Sequence, residues 1–248
     1  MKILVCVSHV PDTTSKINFI DNNTLFDTNG IQFIINPNDE FGLTKAIWMK
    51  QKLGAEVTVV TVGENSCEST LRKCLAIGAD KALRVDLKPI DGFQVAKQLA
   101  NICQKESYDV IITGRESIDY NGGMVPGMLS ALMNYNFVTN CVYLEIEGDN
   151  AMASREIDGG IETVSCMLPI IIGAQKGLVE EKDLIIPNMR GIMQARQKPL
   201  EVIKPVDSEI KSSILKFEKP IPKGAVKLIA EDKIDELIDL LHNEANVI

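Results

Sequence analysis

Short, mainly apolar runs alternate along the first half of the chain with longer stretches whose apolar residues recur at helical spacing. Lys2–Val7 (KILVCV), Val57–Val62 (VTVVTV), Ala82–Val85 and Val110–Thr113 read as strands covered on both faces. Asn36-Pro37-Asn38-Asp39-Glu40 is a turn into a helix through Phe41, Leu43, Ala46, Ile47, Met49 and Leu53, with Asn38 or Asp39 as cap and Gly54 as its end. A second helix carries Leu71, Leu75 and Ile77 and closes at Gly78. A third, Gly92–Lys105, carries Val95, Leu99 and Ile102. Strands separated by helices in this way form βαβ units, and right-handed crossovers make them a doubly wound, mostly parallel α/β sheet.

The rhythm then changes. Cys141–Ile146, Ala151–Ile157 and Thr163–Leu168 are strand-like, and Gly148-Asp149-Asn150 and Asp158-Gly159-Gly160 between them suit tight reversals. The sheet is therefore expected to finish in an antiparallel extension. From Val179 onward prolines punctuate a stretch with no long periodic core pattern. It ends in an amphipathic helix at about Asp232–His242, with Ile234, Leu237, Ile238 and Leu241 on one stripe. So short a helix must dock on something. The expected organisation is a nucleotide-binding α/β domain over 1–205 and a C-terminal arm over 206–248, laid on a partner or back on the domain.

Composition narrows the function. The 248 residues carry a net charge of −8, which argues against nucleic acid or an anionic membrane surface as partner. No apolar run reaches the ~18–20 residues of a spanning helix, and the start lacks a signal or transit pattern, so a cytoplasmic protein with no membrane insertion is expected. The six cysteines form no CxxC pair and there are two histidines, poor material for a zinc site. The thiols read as small buried hydrophobes. Neither histidine sits in a nucleophile pattern.

Ligands of a doubly wound sheet bind at the carboxyl ends of its strands, near the point where strand order reverses. Cys6–Thr13, Val62–Ser66 and Gly114–Val125 fall at such ends. In the last, GRESIDYNGGMVPG, adjacent glycines Gly122 and Gly123 permit close main-chain approach, and amides at the following helix start can hold a phosphate. Neither GxGxxG nor a P-loop is present, so a plain strand–turn–helix connection stands beside the phosphate reading. Asn36–Asp39 reads equally as an ordinary turn and cap, and Arg155–Gly160 as a surface hairpin with cross-strand ion pairs. Pro187–Lys198 mixes Met189, Ile192 and Met193 with Arg190 and Arg196, which suits a contact surface or an amphipathic turn packed on its own domain.

Six segments in this order, KILVCVSHVPDTTSKI, INPNDE, LAIGADKALRV, GRESIDYNGG, REIDGGIET with LP after it, and IMQARQKPLEVIKP, resemble the beta subunit of electron-transfer flavoprotein over nearly the whole chain. The resemblance implies an adenine-nucleotide-alpha-hydrolase-like fold. It also implies a heterodimer with an alpha subunit that carries most of the FAD, and one structural AMP in the beta subunit. Electrons would pass from flavin dehydrogenases, such as the acyl-CoA dehydrogenases of fatty acid oxidation, to a quinone reductase or other acceptor. This is transport without side-chain catalysis.

By the same resemblance, AMP contacts fall on Cys6, on Asn36, Pro37, Asn38 and Asp39, on Val62, and on Gly114, Ser117, Ile118, Asp119, Gly122, Gly123, Met124 and Val125. Thr13 would approach the flavin. Gly123-Met124-Val125 stands where the better-known pattern has Asn-Gln-Thr. A second FAD in the AMP site of an electron-bifurcating relative, or a nucleotide-sensing module, are the alternatives. An ATP-using hydrolase or ligase would need more than Asp119 as its well-placed carboxylate. The family's dehydrogenase-recognition loop aligns with Ile185–Gln194. Met189 is at the anchor position, and Ile185, Asn188, Arg190, Ile192 and Met193 surround it.

Overall fold

Strand β1 (Lys2–Cys6) is buried from both sides: Ile3 and Val5 enter one hydrophobic core, Leu4 and Cys6 the other. Each such side chain, fully buried, stabilises the fold by roughly 1.5–3 kcal/mol relative to exposure. The computed structural model describes residues 1–222 and 224–248. After β1 come β2 (His9–Pro11), the small hairpin of β3 (Phe19–Ile20) and β4 (Leu25–Phe26), and β5 (Phe33–Ile35), which pairs with β2. Then follow α1 (Pro37–Leu53), β6 (Glu56–Val62), α2 (Glu68–Ile77), β7 (Lys81–Val85), α3 (Gly92–Lys105), β8 (Val110–Gly114) and α4 (Val125–Met133). The second half runs β9 (Asn136–Glu147), β10 (Asn150–Ile157), β11 (Gly160–Met167), β12 (Ile170–Ala174), α5 (Met189–Ala195), β13 (Leu200–Ile203) and α6 (Ile234–Asp239).

Among the described residues nine strands form one sheet in the order β11-β10-β9-β12-β8-β1-β6-β7-β13. Side chains of α1 and α2 fill the core on one face, and those of α3 with Leu129 of α4 fill the core on the other. The sheet is parallel except where β10 runs against β9 and β11. This is the expected doubly wound α/β architecture with an antiparallel extension. Two strands fall outside the sequence expectation. β12 returns to the parallel body and inserts between β8 and β9, and β13 crosses the molecule to pair with β7 at the opposite edge.

Helix α1 begins earlier than expected. Asn36 is its N-cap residue, Pro37 occupies the first turn, and Asn38 and Asp39 lie inside the helix rather than capping it. Proline fits there because first-turn amides lack helical partners in any case.

The arm is held on its own domain before it extends. Gln98 and Val206 exchange two hydrogen bonds, at 2.7 and 2.8 Å. Asp91 caps α3 through the Gln94 amide at 2.7 Å and also accepts the Lys211 and Ser212 amides. Phe217 stacks on Phe19 with ring centroids 4.7 Å apart. Beyond it Ile221, Val226 and Leu228 are exposed, and α6 covers only Ile234–Asp239 before a looser turn over Leu240–Glu244. The expected helix thus begins two residues later and widens into a π-helical turn at its end, and its apolar stripe is largely exposed. Among the described residues no helix is long and apolar enough to cross a membrane.

The two ends of the sheet differ in what they bury. Ile112, at the centre of β8, is fully buried, whereas Ile161 on the outer strand β11 is 66% exposed. Ile112→Ala should lower the unfolding free energy by about 2–5 kcal/mol, and Ile161→Ala by about 0.5 kcal/mol or less. Denaturant titration of the two variants checks this.

Candidate functional site

The strand order reverses between β1 and β8, because β1 continues to β6 on one side while β8 leads away on the other. A crevice at the carboxyl ends of these strands is where a doubly wound sheet places a ligand. Cys6 closes β1 on the α3/α4 side, nearly buried, and burial pushes its thiol well up. Val62 ends the neighbouring β6. Thr13 is exposed, beyond a turn in which Asp12 accepts from the Thr14 amide and hydroxyl.

The loop from Gly114 to Val125 leaves β8 and enters α4. Its tip, Asp119–Met124, is exposed, with Asn121 and Gly123 both at positive φ (49° and 58°). Glycine carries the left-handed conformation at Gly123 without steric cost. Met124 is the N-cap residue of α4 and its side chain makes no capping bond, while Pro126 in the first turn offers no N–H. Among the described residues nothing accepts from the amides of Gly123, Met124 or Val125. These groups, with the positive end of the helix dipole behind them, suit the phosphate of a nucleotide.

Asn36, Asn38 and Asp39 stand on the other side of the loop. Asn36 is fully buried, and its side-chain amide donates to the Glu116 carbonyl at 2.9 Å and accepts the Ile118 amide at 3.1 Å. Asn38 donates to the same Glu116 carbonyl at 3.1 Å. Asp39, 2% exposed, accepts the Ser8 amide at 2.7 Å. A side chain at Gly114 has no room: a Cβ there would lie 2.2 Å from Asp39 Oδ1. Burial pushes the Asp39 carboxyl up to about 7 even though Ser8, Asn36 and Gly114 donate towards it. The adjacent strands β8, β1 and β6 thus bring Gly114, Cys6 and Val62 to the same end of the sheet, and Asn36 and Asn38 bond the loop that follows β8 at Glu116 and Ile118.

A neighbouring cleft of about 510 Å³ is lined by Asn38, Arg115, Glu116, Glu156 and Gln175 among others. Gln175 bridges Arg115 and Glu156, donating to the latter. Gln175 went unnoticed in the sequence because it follows β12, and the strand that positions it was not read. The Arg155 charge crosses the hairpin to Glu162 at 2.6 Å, so only Glu156 of that pair turns into the cleft.

The Ile185–Gln194 segment ends in a helix rather than a turn. Asn188 caps α5 by accepting the Gly191 amide at 2.8 Å, and Arg72 reaches across to the carbonyls of Ala195 and Lys198 at 2.7 and 2.8 Å. Lys198 in turn donates to Leu75 and Ala79 of the α2 end. Met189 (75% exposed), Ile192 and Met193 project outward beside the exposed Arg190. Ile185 does not join them, since it packs against the α1/α2 core.

A family model of the electron transfer flavoprotein domain matches residues 24–208. The electron transfer flavoprotein subunit beta of Bacillus subtilis is 34% identical over 100% of both chains. The chain belongs to the electron transfer flavoprotein beta-subunit family. The Homo sapiens protein of the same name is 33% identical over 97% of this chain and 98% of its own. A mitochondrial beta subunit of Arabidopsis thaliana is 32% identical over 100% of both chains. Membership places the chain in flavoprotein electron transfer, as a carrier subunit.

The raised Asp39 carboxyl makes a signed prediction. In the unfolded chain the group ionises near pH 4, and in the fold near pH 7. The fold therefore binds the proton more tightly, and this residue's contribution to stability falls as pH rises between those values. Denaturant titrations at pH 5 and pH 8 should show wild type losing more stability on going to pH 8 than Asp39→Asn does.

Proposed function

We propose that this chain is the beta subunit of a heterodimeric electron carrier that takes electrons from flavin dehydrogenases, such as acyl-CoA dehydrogenase, and delivers them to a quinone reductase or other acceptor. FAD, held mainly by an alpha subunit, supplies the redox chemistry, and AMP occupies the crevice of this chain as a structural ligand. The observation that carries this reading is the open amide cluster of Gly123–Val125 at the strand-order switch point, in a chain of this family. Main-chain N–H groups accept a phosphate whatever side chains the loop bears. The Gly-Met-Val sequence is therefore compatible with an adenylate although it lacks the side-chain donors of Asn-Gln-Thr.

In this reading the protein's own residues bind, orient and exclude water. Cys6 and Val62 wall the adenine, and Gly123, Met124 and Val125 hold its phosphate. Thr13 lies at the flavin side. The C-terminal arm over 206–248, which carries exposed apolar residues such as Ile221, Val226 and Leu228, docks on the alpha subunit. Five buried thiols and a sixth free one suit a reducing compartment such as the cytoplasm.

Met189 on α5 is read as the anchor for dehydrogenases. Exposed thioethers on a fixed helix suit a small, short-lived redox interface. Helix α5 combines an exposed apolar tip with a rigid base.

Two measurements test the reading. The heterodimer is denatured and its nucleotides chromatographed: one FAD and one AMP are expected, while two FAD would replace AMP by a second flavin and no adenine nucleotide would refute the crevice assignment. In steady-state reduction by an acyl-CoA dehydrogenase, Met189→Ala should raise KM by about tenfold, the ~1.4 kcal/mol of a modest interface anchor, with kcat little changed.

A further inference from the structure

Helix α5 has seven residues, too few to hold its shape alone, and it lies along one face of α2. Arg72, Ala76 and Ala79, spaced four and three residues apart, mark that face and the turn that ends it. Two cations cross between the segments. Arg72 on α2 donates to the carbonyls of Ala195 and Lys198, at 2.7 and 2.8 Å, at the carboxyl end of α5. Lys198, just beyond α5, donates to the carbonyls of Leu75 and Ala79, at 2.9 and 2.6 Å, at the carboxyl end of α2. Last-turn carbonyls lack helical partners and carry the negative end of the dipole, so each cation satisfies the other segment's free acceptors. Between the two, Gly191 meets Ala76 so closely that a Cβ at 191 would lie 2.4 Å from the Ala76 carbonyl oxygen.

We propose that Arg72, Gly191 and Lys198 are positioning residues for dehydrogenase docking, which act by fixing the seat of α5 on α2 and so the direction in which Met189 is presented. The inference rests on the proposed anchor role of Met189 and adds how that anchor is aimed. Ala195 and Gly191 face α2, whereas Met189, Ile192 and Met193 are exposed. With its amino end capped by Asn188 and its carboxyl end held by Arg72, α5 has little backbone freedom left to lose when a partner arrives. Without Arg72 the buried Ala195 loses the donor to its carbonyl, and a helix of this length frays. A methyl at 191 meets helix backbone that cannot give way, so α5 has to lift. The crossed pair is also remote from the nucleotide end of the sheet. Helix α2 starts after the carboxyl end of β6 and runs back to the start of β7, where Lys198 precedes β13.

The test uses the heterodimer, with an acyl-CoA dehydrogenase as electron donor in steady-state reduction and with amide hydrogen exchange. Arg72→Met should raise KM for the heterodimer about fivefold with kcat little changed, and should speed exchange of residues 189–198 by a similar factor. Flavin and adenine nucleotide per heterodimer should stay at the wild-type level. Arg72→Lys, which keeps a donor, should recover part of the loss. Gly191→Ala removes no charge and should act in the same direction; it decides the matter if Arg72→Met does not fold. Combined with Met189→Ala, Arg72→Met should raise KM by less than the product of the single effects, because a missing anchor needs no aim. Fully multiplicative effects would overturn the proposal in favour of a separate Arg72 contact with the donor. A raised KM with unchanged α5 exchange would overturn it too, as would acceleration spread evenly over the whole domain. If Met189→Ala leaves KM unchanged, the anchor reading alone fails, and exchange at residues 189–198 in Arg72→Met still upholds or overturns the seating of α5.

Discussion

The carboxyl end of the sheet is organised by the seating of the α1 N-terminus on the last residue of β8. Asn36, Asn38 and Asp39 are brought there by a helix that starts at Pro37, and they bind main chain from β1, from β8 and from the loop beyond it. Two strands that part company in topology are thereby tied together at the point where they diverge. The tie is costly in isolation, since a carboxyl group is withdrawn almost completely from water. It is stable because each buried polar atom has a partner: among the described residues no buried side-chain nitrogen or oxygen lacks one.

This arrangement explains which parts of the site were legible in the sequence. Strands β1, β6, β7 and β8 announced themselves because burial on both faces favours mainly apolar, β-branched runs, and the helices because one-sided packing leaves a period. The carboxyl end of the parallel strands, where a ligand of such a sheet is expected, follows from that alternation alone. The role of Asn36 did not follow. Asn-Pro at a helix start is common turn chemistry, and only the fold brings residue 36 to residues 116 and 118. Sequence separation of this size hides a hydrogen bond completely, however strong it is.

The missed strands have different causes. Ile170–Ala174 is short and follows directly on an antiparallel hairpin, so nothing local says that the chain re-enters the parallel body between β8 and β9. Leu200–Ile203 lies on the outer edge, and its mixed exposure erases the apolar run that marked the central strands. The start of α1 was placed late for a related reason: Asn38 and Asp39 are good capping types, and their commitments to Glu116 and Ser8 are tertiary. Family resemblance reached residues that periodicity could not, because it carries the memory of long-range contacts in short segments.

The two surfaces read as partner-facing are built on opposite principles. Helix α5 is short enough to be unstable alone, yet Arg72, Lys198 and the Asn188 cap fasten its backbone to α2, and a Cβ at Gly191 would lie 2.4 Å from the Ala76 carbonyl oxygen. Its outward methionines therefore sit on a fixed base with flexible tips, and a passing partner has little backbone to order. Among the described residues past 219 no side chain is hydrogen-bonded to the domain, and a partner that covers their exposed apolar groups must also fix their position. That ordering cost is tolerable in a permanent subunit contact, where a large area is buried once, and unfavourable in an encounter made and broken at every electron delivery. The division of rigidity in the molecule thus matches the proposed division of labour: a lasting embrace through the arm, and brief docking through α5.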